Sequence, residues 1–173
     1  MIRIFRSALS IASLGALLIV ASGSAFAAVS SSAAHRAIQS ELNTEEAAMA
    51  RGNAQGSVKY DDPHYQLYTQ TGAIRIPDKP THLQGNIKIC KFVRNWNISD
   101  KIQSISLSGN QATVMVTKTG SYQFVKAGHT ITMLYTGLEK QVWNKTGPIW
   151  TEQVGFIKQA ALSPKQPAPA KAK

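Results

Sequence analysis

The chain carries a single cysteine, Cys90. No intrachain disulfide can form, and a structural zinc site lacks its partner thiolates. Beyond residues 1–27 no apolar run is long enough to span a bilayer, which takes about 20 residues. The H-x-H and H-E-x-x-H spacings of metal sites are missing, as are a nucleophile elbow, a phosphate loop and a dinucleotide fingerprint. No metal or cofactor is therefore expected. Internal repeats are absent. Acidic residues are scarce, with 9 Asp+Glu against 19 Lys+Arg and a net charge of +10. Such a balance suits nucleic acid, anionic lipid or small anions. No RNA- or DNA-binding motif accompanies it, so nucleic acid is not expected as a partner.

What is present begins with an export pattern. Arg3 and Arg6 form a charged start, Ala8 to Val20 an apolar segment, and Ala25-Phe26-Ala27 a small-residue cleavage signal. We expect residues 1–27 to be a cleaved signal peptide, with Ala28 as the mature N-terminus. The expected product is a soluble periplasmic or secreted bacterial protein with no membrane span after cleavage. No cysteine stands at the cleavage signal after the apolar segment, so a lipid anchor is not supported. Residues 28–161 suit one domain with a sizeable core. Residues 162–173, rich in Pro, Lys and Ala without apolar periodicity, should form a disordered basic tail. Against the bacterial-type leader, the Asn97-Ile98-Ser99 and Asn144-Lys145-Thr146 sequons read as chance matches.

The most informative stretch is Lys101 to Gln159. It predicts a four-strand antiparallel meander over Lys101–Ser108, Gln111–Val125, His129–Val142 and Ile149–Ile157. Gly109-Asn110, Ala127-Gly128 and Asn144–Pro148 supply the turns. Ala112, Val114 and Val116 alternate with Thr113, Met115 and Thr117, as in a half-buried strand. Upstream, Ser31 to Gly56 predicts a helix with Ile38, Leu42, Glu45/Glu46 and Met49 on one stripe. His64–Tyr68 and Ala73–Ile76 form a short strand pair turning at Gly72. Thr81 should cap a second long helix ending at Trp96, with Leu83, Ile87, Cys90, Val93 and Trp96 inward. On that stripe Cys90 reads as a small buried side chain rather than a nucleophile. The predicted class is α+β, two long helices packed on a curved, mainly antiparallel sheet.

This order resembles the NTF2-like superfamily, the cystatin-like α+β cone, and within it the SnoaL-like and DUF4440 proteins. The matching features are Ala48-x-x-x-Gly52 late in helix one, Asp61-Asp62-Pro63, and Gly72 closing the first hairpin. Ile102–Ala112 leads into the meander, and Val142-Trp143 with Ile149-Trp150 closes it. The resemblance covers roughly Ala34 to Gln159. It implies a pocket at the open end of the cone and dimerisation through the sheet. The ketosteroid isomerase branch carries its base in an Asp-Pro-x-Gly turn. Here the turn is Thr69-Gln70-Thr71-Gly72, and Thr69 cannot act as a base at neutral pH. Gly52-Asn53 likewise departs from the usual Gly-Asp pair.

The polar and aromatic residues left for a site are Tyr60, Asp61, Asp62, His64, Tyr65 and Tyr68, with His129 and Tyr135 across the sheet. We expect Tyr60, His64, Tyr65, Tyr68, His129 and Tyr135 to contact a ligand. On a strand, His64, Gln66 and Tyr68 share one face and Tyr65 and Leu67 the other. The sequence leaves open which face points inward, and the expectation adopted is that His64 and at least one of Tyr65 or Tyr68 line a cavity. Trp143 and Trp150 read as packing residues. Three functions follow, in order of preference. The first is a binding module for a small, largely apolar molecule. The second is a SnoaL-like isomerase, cyclase or dehydratase using His64 or Asp61/Asp62. The third is a dimerising interaction module. The catalytic residues are otherwise unassigned.

Overall fold

A computed structural model describes residues 21–165. The expected leader lies mostly outside these residues, as do residues 166–173 of the expected tail. Among the described residues no helix is long and apolar enough to cross a membrane.

The first helix, α1, spans Ala21–Ala50. It is already helical well before Ser31, so the serine cap expected there is not its start. It ends before Gly56 because Gly52 sits at φ 71°. The Asn53 N–H reaches the Ala48 carbonyl at 2.9 Å and the Gly52 N–H reaches Met49 at 2.9 Å. This paired closure satisfies carbonyls the helix leaves open, and glycine adopts it at least cost. A short 3-10 turn, Gly56–Val58, leads into β1, Asp61–Tyr68, and β2, Ile74–Ile76.

The second helix, α2, spans Lys79–Phe92. Its cap is Asp78, whose Oδ1 accepts the Thr81 N–H at 2.7 Å, and not Thr81 itself. The helix stops at Phe92, four residues short of the expected Trp96. From Val93 the chain is extended and becomes β3, Val93–Ser108. Trp96, Ile98, Asp100 and Ile102 alternate inward there, so a period of two replaces the helical stripe read from the sequence. On α2 itself His82, Gly85, Asn86 and Ile89 line the cavity, Asn86 buried and Ile89 exposed, whereas Ile87 is exposed and does not line it.

Three long strands complete the sheet: β4 (Gln111–Lys126), β5 (His129–Thr146) and β6 (Ile149–Pro164). The order is β2-β1-β6-β5-β4-β3, with β1 parallel to β6 and the other pairs antiparallel. Leu162–Pro164, expected in the tail, pair with Met133–Tyr135 instead. Gly120 lets β3 cross β4 closely, because a Cβ there would lie 2.7 Å from the Ile98 Cα. The result is two helices against a curled, mixed, mostly antiparallel six-strand sheet.

At one end of the concave face Ile38 and Leu42 of α1 pack on Ile102, Val114, Val116, Trp143 and Trp150. Both tryptophans are buried. Gln39 ties α1 to the edge strand β3. It donates to the Asp100 carbonyl at 2.7 Å and accepts from the Ile102 N–H at 3.0 Å. The bond pair satisfies backbone groups that an edge strand leaves open. Beyond this core the helices and sheet diverge and enclose a cavity.

Candidate functional site

The cavity has a volume of about 710 Å³ and opens to solvent. Its apolar and aromatic walls come from Leu42, Met49, Tyr65, Leu67, Ile89, Phe92, Trp96, Ile98, Tyr122, Phe124 and Tyr135. Its polar lining is unusually acidic: Glu45, Glu46, Asp61, Asp100, Glu139 and Glu152 all face it, with His82, Lys118 and, toward the rim, Arg75 and Lys88.

Local strand parity explains the placement. In β4, Lys118 follows Ala112, Val114 and Val116 on the inward face. In β5, Glu139 and Gln141 precede the buried Trp143 at two-residue steps. In β6, Glu152 follows the buried Trp150. In each strand the apolar positions fill the closed end of the cone, and the charged ones extend the same face into the cavity. In α1, Glu45 and Glu46 extend the stripe of Ile38 and Leu42 in the same way.

Two polar groups stand out. In the first, His82 Nδ1 lies 2.7 Å from Asp61 Oδ2, and Asp61 is buried. The Tyr65 ring stacks on the imidazole at 5.1 Å between centroids and 21° between planes. Lys79 Nζ donates to the Asp61 carbonyl at 2.6 Å, fastening the start of α2 to the start of β1. A carboxylate on Nδ1 sets the tautomer and leaves Nε2 as the ring atom available to a bound molecule. In the second group, Lys118 Nζ lies 2.5 Å from Asp100 Oδ2 and 3.9 Å from both Glu46 Oε1 and Glu139 Oε2. The Trp96 indole N–H donates to Glu46 Oε2 at 2.6 Å. Glu139 links the groups: its Oε1 and the Oε1 of Glu152 both abut the spot a Cβ on Gly155 would fill.

Crowding acids in a low-dielectric space favours their neutral forms. Burial, aided by the charge of Asp61, pushes Glu45 up to about 8 despite the bond it accepts from the Tyr60 N–H. Burial raises Glu46 to about 7 against the pull of Lys118. Burial also raises Glu139, and it holds Glu152 well above the usual carboxylate range, with Glu139 and Asp61 adding to the effect. For Lys118 burial alone would lower the value, but Asp100, Glu139 and Glu46 outweigh it and hold the ammonium well above its ordinary range. Glu152 Oε1 and Asp100 Oδ1 are buried without any hydrogen-bond partner among the described residues.

The residues expected at the site divide. Tyr65 and Tyr135 line the cavity, and so does Asp61. His64 does not: it is exposed on the opposite face of β1, and its N–H bonds Asp62 Oδ1 at 2.9 Å. Tyr68 shares that outer face, where it stacks on Phe156 at 5.1 Å. The face carrying Tyr65 and Leu67 is the inward one. Tyr60 packs against the core under Lys59, whose Nζ is 4.9 Å from the ring centroid. His129 is exposed at the first position of β5, just after the turn. Sequence reasoning passed over His82, Asp100, Lys118, Glu139 and Glu152. For Lys118, Glu139 and Glu152 the available signal was a charged residue in step with apolar ones on a predicted strand.

No family model matches the chain, and no curated protein matches it in sequence. Solved structures do match in three dimensions. A scytalone dehydratase-like protein from Novosphingobium aromaticivorans superposes with a TM-score of 0.66 at 10% identity, covering 84% of this chain and 99% of that one. A ketosteroid isomerase-like protein from Erwinia carotovora atroseptica gives 0.56 at 13% identity, covering 77% and 97%. An NTF2-like protein of unknown function from Shewanella oneidensis gives 0.52 at 17%, covering 70% and 96%.

Proposed function

We propose that this chain, an NTF2-like cone by fold, is an acid–base catalyst that moves a proton on a small, largely apolar molecule held in the cavity. The observation that carries this reading is the 2.7 Å contact between His82 Nδ1 and Asp61 Oδ2 on the wall of a cavity of ligand size. His82 Nε2 takes a proton from a ligand carbon next to a carbonyl, and Asp61 stabilises the imidazolium that forms. The electron pair of the broken C–H bond moves into an enol or enolate. Tyr65, stacked on His82 and kept neutral by burial, offers its O–H to the developing oxyanion. Return of the proton at another carbon gives isomerisation. Loss of a β-hydroxyl, protonated to leave as water, gives dehydration. The dehydratase-like and isomerase-like names of two structural neighbours agree with this class without assigning it. The leader expected over residues 1–27 supports action outside the cytoplasm.

The alternative is a binding module without turnover, in which the His82–Asp61 pair only anchors α2 on β1. Exchange in heavy water separates the two. Small carbonyl compounds that raise the melting temperature should gain deuterium at the carbon next to the carbonyl. His82→Gln should slow that gain by about 100-fold or more, the usual worth of a general base, while leaving the fold intact. Compounds that bind wild type yet gain no deuterium would leave the binding module as the function.

A further inference from the structure

The cavity is acidic in a chain whose overall charge is +10. Acids are costly to enclose, and an uncompensated buried charge costs more still. Lys118 compensates only one end, where it meets Asp100, Glu46 and Glu139. Glu152 lies beside Glu139 but outside that ion-pair group; it is 4% exposed, and its Oε1 has no hydrogen-bond partner among the described residues. Among the described residues no lysine or arginine forms an ion pair with it. Tyr65, stacked on His82, is close enough for the charge of Glu152 to act on its hydroxyl, and Tyr135 lines the cavity farther along β5.

We propose that the molecule this cavity takes is a small organic cation, a protonated amine on an apolar or aromatic body, whose ammonium meets Glu152 and whose body lies along the aromatic wall. This rests on the reading of the cavity as the working site, and it names the substrate class. The unpartnered carboxyl oxygen, once ionised, offers an ammonium a charge-assisted acceptor. Tyrosine and tryptophan faces attract a cation electrostatically while packing against its carbon frame. Among the described residues no three Asp, Glu, His or Cys groups converge as a metal ion requires. The acids are instead spread along the walls, which suits a charge carried on an extended frame. Burial raises Glu152 and Glu139 and so favours their neutral forms, which limits the enclosed charge. An ammonium would supply the neutralisation instead of a proton.

The test uses three probes of one shape on the full chain: 2-phenylethylamine as the cation, 2-phenylethanol as the neutral form and 3-phenylpropionate as the anion. Calorimetry or ligand-observed NMR gives the affinities. The amine should bind at least tenfold tighter than the alcohol, and the carboxylate weakest of all. Glu152→Gln keeps the shape and removes the charge, so it should bring the amine to within about threefold of the alcohol without changing the alcohol's affinity. An alcohol or carboxylate that binds wild type as tightly as the amine overturns the proposal, and so does an amine that fails to bind at millimolar concentration. Should the variant not fold, the charge series on wild type decides alone. Deuterium exchange is a separate readout. Exchange on neutral carbonyl compounds with no preference for the amine would leave the catalytic reading standing and the cation reading overturned. An amine that binds selectively while no ligand exchanges would do the reverse.

Discussion

Six of the nine acidic residues line one cavity, while of the 19 Lys and Arg only Arg75, Lys88 and Lys118 do so among the described residues. Interior and exterior therefore carry opposite charge, and the two arrangements have different energetics. Outside, a lysine such as Lys101 stays hydrated and contributes little to stability. Inside, Asp100 and Glu152 have exchanged water for protein, and each must find a partner, take up a proton or raise the free energy of the fold. A fold selected only for stability would fill the inward positions of β5 and β6 with apolar residues. The acids stand where alternation calls for Val or Ile, and local violations of this kind are expected at functional or strained positions.

The strongest way to break this contrast is to remove the enclosed cation. Lys118→Met should leave Asp100 buried without its 2.5 Å partner and Glu46 and Glu139 without a nearby positive charge. We expect a loss of about 3–5 kcal/mol in urea or thermal unfolding. Lys101→Met, on the exposed face of β3, should cost less than about 0.5 kcal/mol. Adding Asp100→Asn to Lys118→Met should recover part of the loss. Equal costs for the two lysines would mean that Lys118 is as hydrated as Lys101.

A change of pH probes the same contrast more gently. Glu45 and Glu46 keep their protons in the folded chain up to about 8 and about 7, whereas their ordinary value is 4.5. Between those limits the folded state binds more protons than the unfolded chain. Stability is therefore fully present below about 4.5 and falls as pH rises toward 8. Glu139 and Glu152 act in the same direction. Asp78, held low by its bonds to Thr81, acts in the opposite direction, but its contribution is already complete above its ordinary 3.8. The melting temperature should drop by on the order of 5–10 °C between pH 5 and pH 8. Glu45→Gln still accepts the Tyr60 N–H and should flatten that slope. A melting temperature that rises over this range would mean that the cavity acids are solvated.

How much of this was legible in the sequence depends on the period of each segment. The meander was, because Ala112, Val114 and Val116 alternate cleanly and Gly109, Gly128 and Gly147 all take positive φ at its turns. The end of α2 was not, since Val93 and Trp96 fit a helical step from Cys90 as well as they fit a strand. Only pairing with Phe124 to Ser121 decides for the strand. Asp78 outcompeted Thr81 as the cap because its carboxylate reaches the Thr81 N–H. His64 was favoured over His82 because it lies in a cluster of Tyr and Asp, but proximity in sequence alternates faces on a strand. His82 reaches Asp61 from another element, and neither composition nor spacing carries that contact. The charges of β4, β5 and β6 were individually visible and lacked only the question of which face each shared with the buried tryptophans and valines.

The smallest effect expected is on the outer face, and it asks whether the interior is independent of the exterior field. Lys140 and Lys158 flank Phe156 at 6.0 and 5.7 Å from the ring centroid, beside the Tyr68 stack. Exposed contacts of this kind contribute about 0.5–1 kcal/mol at most. Lys158→Gln should therefore shift the unfolding midpoint within that amount. Its charge also belongs to the positive field that a cation must cross to enter. At moderate salt that field decays over about 8–10 Å, so the loss of one outer lysine should not alter the preference for 2-phenylethylamine over 2-phenylethanol. The preference should also survive a rise to 0.5 M salt better than any exterior interaction, because enclosed charges are screened least. If Lys158→Gln strengthened amine binding severalfold, the selectivity would belong to the net charge of the whole chain, and the acids of the cavity would lose their claim to it.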